Sequence, residues 1–376
     1  MNKDYNEAVK GTTIFGGLKI ITIILSIIKS KAIAILIGPT GFGINSILNS
    51  TIDLIRLITG LGIDQSGVKE VSEVKDDVYL LSKRVHIVRF FSWLTGVGGF
   101  VLLLVLSPLI SLWTFDTYDY TNTYILVSPT ILFLSLYSAE LTILRSLRSI
   151  KQIVKATIII SVLGLFCAIP LYYFFKINGI VLVILITSLL SYIIILFFSK
   201  KNKILKYQSN FIDSWNNGSK LIKLGVSMSL GNIIGSMSTF LIIIIISNLS
   251  GLIEVGLYNA GWSITNQYVG LIFTAMAADY LPRLSAVSNN NLKIKECINN
   301  QAEIASLIIA PLLCVLLICL PLVVNLLLST EFSSIVTFTR ILFFGVFFQS
   351  FSWSISYVFI AKGDGALYVK TQLVTS

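Results

Sequence analysis

Lysine side chains interrupt the first long apolar stretch of the chain, residues 14–36, and cations in such a setting could bind an anionic group. The stretch is long enough to cross a bilayer, where a charge at the centre costs about 2.5–3.5 kcal/mol even on the mildest insertion scale. If it is helical, it has one polar edge, formed by Lys19, Thr22, Ser26, Lys29 and Ser30. The side chain of Lys31, which lies off this edge, can extend to the membrane–water interface, and in part so can the side chain of Lys19. Lys29 lies about 22 Å from the start of the helix, so we expect it to face a water-filled or ligand-filled interior.

A second polar stripe follows within residues 44–63. It consists of Asn45, Asn49, Asp53, Arg56 and Gly60. Asp53 and Arg56 are three residues apart, a spacing that allows an ion pair on one helix. The pair is either a self-neutralising structural element or part of a binding site, and the residue pattern favours neither. In both cases the stripe must face the interior of a helix bundle.

Polar residues also lie on later apolar segments. Asn232 lies on one, and Asn259 and Asn266 share an edge of the next. These amides could line the same interior, although hydrogen bonding between neighbouring helices is the slightly better explanation. Arg340 adds a further cation, which we assign to the same cationic lining. Asp53 and Glu140 are the candidates for coupling transport to a proton or sodium gradient.

The composition is that of a polytopic membrane protein. Of the 376 residues, 55% are hydrophobic and only 12% are charged, and the mean hydropathy is +0.87. A lone histidine, His86, and four scattered cysteines do not form a metal-binding cluster, so we expect no metal and no cofactor. The segment before the first apolar run is short and polar, which predicts that there is no cleavable signal peptide.

The hydropathy pattern predicts an all-α integral membrane protein with about ten crossings. The apolar runs lie at roughly 14–37, 44–63, 87–113, 123–144, 153–174, 178–198, 223–247, 255–277, 303–328 and 335–361. If they alternate in direction, 21 of the 28 Lys and Arg residues lie on the side of the N-terminus, and only Lys176 lies on the other. The positive-inside rule then places the N-terminus in the cytoplasm. The net charge of +10 therefore reflects membrane topology, and nucleic-acid binding is excluded.

An internal repeat divides the chain. Gly38-Pro-Thr-Gly-Phe-Gly-Ile follows the first run, and Gly251-Leu-Ile-Glu-Val-Gly-Leu follows the seventh, at an offset of 213 residues. Repeats in the same direction predict two lobes around a central cavity: residues 1–205 with six helices and residues 206–376 with four. The same offset predicts two further helices in the second lobe, so we expect this lobe to be truncated from six.

Three stretches carry a family resemblance: GLKIITIILSIIKSKAIAILIGPTGFGINSIL at residues 17–48, DYLPRLS at 279–285 and AKG at 361–363. In these stretches the chain resembles the polysaccharide-exporter branch of the multidrug/oligosaccharidyl-lipid/polysaccharide (MOP) superfamily, in particular the Wzx-type O-antigen flippases. The resemblance implies two six-helix lobes forming a V-shaped cavity in the bacterial inner membrane. It also implies transfer of an undecaprenyl-diphosphate-linked oligosaccharide between leaflets, with Lys19, Lys29 and Arg56 as the cavity cations. A polysaccharide polymerase and a chain-length regulator are the implied protein partners.

Three alternatives remain at this stage. A cation or drug antiporter of the same superfamily would need acidic spans, whereas these spans are net basic. An enzyme such as an O-antigen polymerase would need positioned carboxylates or a metal, commonly on a sizeable loop. The external loops here are about ten residues or fewer, so we expect no enzymatic activity. A truncated copy that does not transport is the third alternative.

Overall fold

The computed structural model describes the backbone of residues 3–202, 205, 207, 211–287 and 290–362, and side chains from residue 21 onward except at a set of positions that includes Asn266. Within these residues the fold is helical, without strands. The helices are α1 Lys3–Thr59, α2 Ile63–Ser72, α3 Val78–Phe115, α4 Thr121–Val127, α5 Pro129–Ser146, α6 Ile150–Phe175, α7 Gly179–Ser199, α8 Phe211–Ser250, α9 Leu252–Ala286, α10 Asn291–Leu327 and α11 Ile335–Ala361. Short 3₁₀ turns lie at Lys176–Asn178 and Thr330–Phe332.

Seven helical segments of the described residues are long and apolar enough to cross a membrane. They are Ile21–Thr59, Val78–Phe115, Thr121–Ser146, Ile150–Ser199, Leu221–Ser250, Asn291–Leu327 and Ile335–Phe359. Ile21–Thr59 contains parts of the first two predicted runs, and Ile150–Ser199 contains the fifth and sixth. The eighth run lies in α9, several of whose side chains are outside the described set. The protein is therefore an all-α membrane protein, and ten crossings remains a prediction.

Contacts divide the chain into two compact units. The first comprises Met1–Ile37 and Ile47–Leu249, and the second comprises Gly38–Ser46 and Ser250–Ser376. The predicted boundary between lobes at residues 205 and 206 does not coincide with this division, and the two lobes remain a prediction.

Hydroxyl groups join the helices of the first unit. Thr142 and Ser146 on α5 donate to the main-chain oxygens of Asp64 (3.2 Å) and Val68 (3.3 Å) on α2. Ser247 on α8 donates to the Thr114 oxygen on α3 at 2.7 Å. These bonds join α2 to α5 and α3 to α8.

The DYLPRLS motif at residues 279–285 connects helices of the second unit through hydrogen bonds. Tyr280 is fully buried, and its hydroxyl donates to the main-chain oxygen of Ser354 on α11 at 2.7 Å. Arg283 donates to buried Gln301 on α10 at 3.0 Å and pairs with Asp279 at 2.8 Å. The motif therefore connects α9 to both α10 and α11, which explains its composition by packing.

The two copies of the glycine repeat share one backbone conformation and contact each other within the second unit. Gly38 has φ 63° and ψ −172°, and Gly251 has φ 91° and ψ 177°. Both sets of angles are open chiefly to glycine. A Cβ added to Gly43 would overlap the Leu252 oxygen, and one added to Gly256 would overlap the Pro39 oxygen. Because the offset of 213 maps residue 39 onto 252 and residue 43 onto 256, the contact is symmetric with respect to the repeat.

The predicted topology can be measured directly. Reporter fusions at Thr117 and Gly251 should be external, and a fusion at Lys203, which lies outside the described residues, should be cytoplasmic. The physical reason is the asymmetry of the basic residues between alternate loops. A cytoplasmic reporter at Gly251 would contradict the two-lobe arrangement.

Candidate functional site: basic residues within the membrane helices

Lys29 is half-buried on α1 and has no hydrogen bond or ion pair with any described residue. Its neighbour along the predicted polar edge, Ser26, donates to its own helix at the Ile23 oxygen, 2.8 Å away. Lys19 lies on the same helix, but its side chain is outside the described residues. A cation in an apolar helix without an acidic neighbour is costly, so Lys29 is suited to receiving an anionic ligand.

Asp53 and Arg56 form the ion pair that their spacing predicts, with the Asp53 Oδ1 and Arg56 Nε atoms 3.8 Å apart. This distance is too long for a hydrogen bond. The Arg56 Nε atom is buried and has no hydrogen-bond partner among the described residues. The Asp53 side chain is 58% exposed and that of Arg56 is 30% exposed. Arg56 therefore has one buried donor without a partner among the described residues.

A small open cavity of about 30 Å³ lies beside Arg56 in the first unit. Its lining includes Arg56, Asp64, Ser92, Thr95, Ser135 and Ser138. These residues come from the end of α1, the start of α2, α3 and α5. The cavity therefore combines one guanidinium, one carboxylate and several hydroxyl groups, and it lies entirely within one unit.

Glu140 forms a bidentate salt bridge that the sequence analysis did not anticipate. It accepts from Nε of Arg89 at 2.7 Å and from Nη2 at 2.8 Å. The Glu140 side chain is 4% exposed and that of Arg89 is 38% exposed. Paired charges at this distance neutralise each other, which favours a structural role for Glu140. Its proposed role in ion coupling remains a prediction. The signal available in the sequence was that Glu140 is the one acidic residue in the fourth apolar run, and that Arg89 is one of the few basic residues within the runs.

The remaining predicted residues are distributed over both units. In the first, Asn49 and Asn232 are exposed. In the second, Asn45 and Asn259 are half-buried, and Arg340 is exposed. Asn259 donates to the Val255 oxygen of its own helix at 3.5 Å, while the side chain of Asn266 is outside the described residues. The continuous lining that these residues were expected to form remains a prediction.

The family profile described as "Polysaccharide biosynthesis protein" matches residues 32–337. The chain belongs to this family. A sequence search of curated proteins returns no match. The family membership agrees with the resemblance to polysaccharide exporters that the motifs suggested.

Solved structures of MOP transporters share the fold. An inward-facing multidrug-resistance MATE transporter is 15% identical, with a TM-score of 0.72 over 95% of this chain and 83% of its own. An outward-facing MATE transporter is also 15% identical, with a TM-score of 0.67 over 97% of this chain and 85% of its own. A MOP superfamily transporter from Pyrococcus furiosus, described as having a binding pocket of reverse polarity, is 16% identical, with a TM-score of 0.59 over 96% of this chain and 82% of its own. This member of the polysaccharide biosynthesis family therefore has a MATE-like fold, one that is known in both inward- and outward-facing conformations.

Proposed function

We propose that this transporter is a flippase for an undecaprenyl-diphosphate-linked oligosaccharide, the repeat unit of an O-antigen. It moves the lipid-linked unit from the cytoplasmic to the periplasmic leaflet of the bacterial inner membrane, with its own N-terminus in the cytoplasm. A polysaccharide polymerase and a chain-length regulator then act on the product. The family membership and the alternating-access fold support transport, and the charges within the helices support this substrate.

The Nε atom of Arg56, which has no hydrogen-bond partner among the described residues, is the observation on which this proposal chiefly depends. The atom is buried, and Asp53 is 3.8 Å away. Phosphate oxygens accept strong charge-assisted hydrogen bonds from guanidinium groups. A diphosphate can therefore compete with Asp53 for Arg56, while Lys29 and Lys19 offer further positive charge along α1.

The physical task of the protein is to shield a polar head group during its passage. A diphosphate with sugars cannot cross hydrocarbon unaided, because every charge and hydroxyl would lose its hydration. In the proposed mechanism the head group binds to the basic side chains while the lipid tail stays in the bilayer. Closing one face of the protein and opening the other then carries the head group across. Asp53 is the candidate for coupling this cycle to an ion gradient, and the membrane potential can act on the charges directly.

An antiporter for cationic drugs is the second candidate, because the two MATE structures belong to multidrug-resistance transporters. A site for cations needs a surplus of carboxylates. Here the predicted spans contain more basic residues than acidic ones such as Asp53 and Glu140. The balance of charge favours an anionic substrate.

The test of the proposal is complementation by the full chain in a bacterial strain that lacks its O-antigen flippase. Restored surface polysaccharide supports the flippase function, and drug resistance without polysaccharide contradicts it.

Replacing Lys29 by alanine should abolish complementation without reducing the amount of protein. The substitution removes a charge from an apolar helix, so stability should be unchanged or increased, but it also removes a contact for the diphosphate. Lys29→Arg should retain part of the activity because it keeps the charge. Lys31→Ala, which removes the same charge off the polar edge, is the matched control and should complement normally. If Lys29→Ala complements fully, Lys29 has no role in substrate binding.

A further inference from the structure

Basic side chains gather at the end of the first unit where α5, α6 and α7 meet. The turn from α5 to α6 is closed by the main-chain N–H of Arg148, which donates to the Arg145 oxygen at 3.0 Å. The amides of Gln152, at the start of α6, and Asn202, just after α7, donate to each other at 3.4 and 3.0 Å. Six exposed cations lie at this end and are called the basic cluster below: Arg145, Arg148, Lys151, Lys155, Lys200 and Lys201.

No acidic residue neutralises the basic cluster. The sequence has no Asp or Glu between Glu140 and Asp213, and none of the six cations forms a salt bridge with the described part of the chain. The segment 69–84 provides the contrast, since Arg84 there pairs with Glu70 at 3.0 Å. Its four basic residues are matched by four acidic ones: Lys69, Lys75, Lys83 and Arg84 against Glu70, Glu73, Asp76 and Asp77.

Neither membrane topology nor helix stability explains this concentration of charge. The positive-inside rule depends on Lys and Arg, and acidic residues contribute little to it, so topology does not require a cluster free of acids. Lys151 lies in the first turn of α6, where the helix dipole disfavours a cation. Like charges so close together also repel one another. A bound anion would relieve both penalties.

An exposed apolar stripe continues from the basic cluster along α6. Lys151, Lys155, Ile159, Leu163 and Phe166 follow one another at intervals of three or four residues, so they share one face of the helix. All five are exposed, Phe166 to 70%. At 1.5 Å per residue, Lys155 and Phe166 are about 16 Å apart along the axis, which is close to half of the ~30 Å hydrocarbon core. The face therefore has cations at one end and an apolar surface as long as one leaflet.

We propose that the basic cluster and the apolar stripe of α6 together bind an anionic phospholipid. Its phosphate group lies among the cations, and its acyl chain lies along the stripe. The cluster flanks the apolar segment Ile150–Ser199, which is long enough to cross the membrane, so the cations lie where lipid head groups are found. Basic pockets at such positions bind anionic head groups. An acidic protein segment would use the charges but not the stripe. The inference requires only a membrane location and not the flippase function.

The test counts lipids bound to the purified full chain by native mass spectrometry, with phosphatidylglycerol and phosphatidylcholine as probes. The unaltered protein should bind phosphatidylglycerol more tightly, because only this lipid has a net negative charge. The double variant Lys151→Gln/Lys155→Gln should weaken its binding about twenty-five-fold, since each basic residue near an anionic surface contributes about fivefold. Lys151→Arg/Lys155→Arg, which keeps both charges, should bind it as the unaltered protein does.

Lys69→Gln/Lys75→Gln is the matched control, because it removes the same charge from two exposed positions of the neutral segment 69–84. It should weaken binding less than about twofold, and melting temperatures should show that all variants fold. Equal binding of the two lipids, an unchanged affinity of the Lys151/Lys155 glutamine variant, or an equal loss in the control would each overturn the proposal. Undecaprenyl diphosphate is the third probe. A loss confined to this lipid would make the cluster a substrate site and would likewise overturn the phospholipid site.

Discussion

Replacing Gly43 or Gly256 by alanine should strongly destabilise the protein. The added Cβ at Gly43 would overlap the main-chain oxygen of Leu252, and the added Cβ at Gly256 would overlap that of Pro39. The obstructing atoms belong to the backbone, so a change of side-chain rotamer cannot relieve the overlap. Overpacking of a core typically costs about 1–3 kcal/mol, and we expect the upper end of this range or more. Thermal unfolding of the purified protein measures the effect.

The double substitution provides a sharper test of the glycine contact. If the two segments must separate to admit either methyl group, one movement accommodates both. The double variant should then be less destabilised than the sum of the two single variants. Gly235→Ala is the control, because nothing lies within 4 Å of the Cβ that it would add to α8. This change should be neutral or stabilising by up to about 1 kcal/mol, since alanine favours a helix over glycine. Single variants as stable as the control would show that the close approach does not exist.

Breaking the Arg89–Glu140 salt bridge should also have a large effect, and an asymmetric one. Removing one partner of a buried pair typically costs about 3–5 kcal/mol, because it leaves the other charge uncompensated. Glu140→Ala leaves Arg89, whose side chain is 38% exposed and can find water, whereas Arg89→Ala leaves Glu140, which is only 4% exposed. We therefore expect about 3 kcal/mol for Glu140→Ala and a larger loss for Arg89→Ala, measured by unfolding in detergent.

Two further variants separate a structural role of Glu140 from ion coupling. Replacing both partners by leucine should recover most of the stability, because an apolar pair needs no hydration. Glu140→Gln should reduce stability but leave transport in the surviving protein if the role is structural. If Glu140 couples transport to an ion, the same variant should stop complementation at normal stability. Asp279→Ala is the control, because the side chains of Asp279 and Arg283 are 73% and 46% exposed, and exposed pairs contribute about 1 kcal/mol or less.

Local and compositional features of this protein could be predicted from its sequence. The membrane class follows from long apolar runs, since only a helix or a closed barrel satisfies the backbone in lipid. The Asp53–Arg56 pair was predictable because both residues lie on one helix, three positions apart, where geometry brings them together. The special conformation at Gly38 and Gly251 was signalled by paired glycine motifs, because other residues rarely adopt a positive φ.

Contacts between distant segments were decided only by the tertiary structure. Arg89 and Glu140 are 51 residues apart on α3 and α5, and no local spacing indicates which of several charges will meet. The cavity that joins Arg56 and Asp64 to hydroxyls of α3 and α5 likewise depends on how those helices pack. The repeat predicted that residues 38–44 and 251–257 are alike, but not that their backbones touch. A one-dimensional pattern specifies which face of a helix is polar or small, whereas the partner of that face depends on the packing of all the helices together.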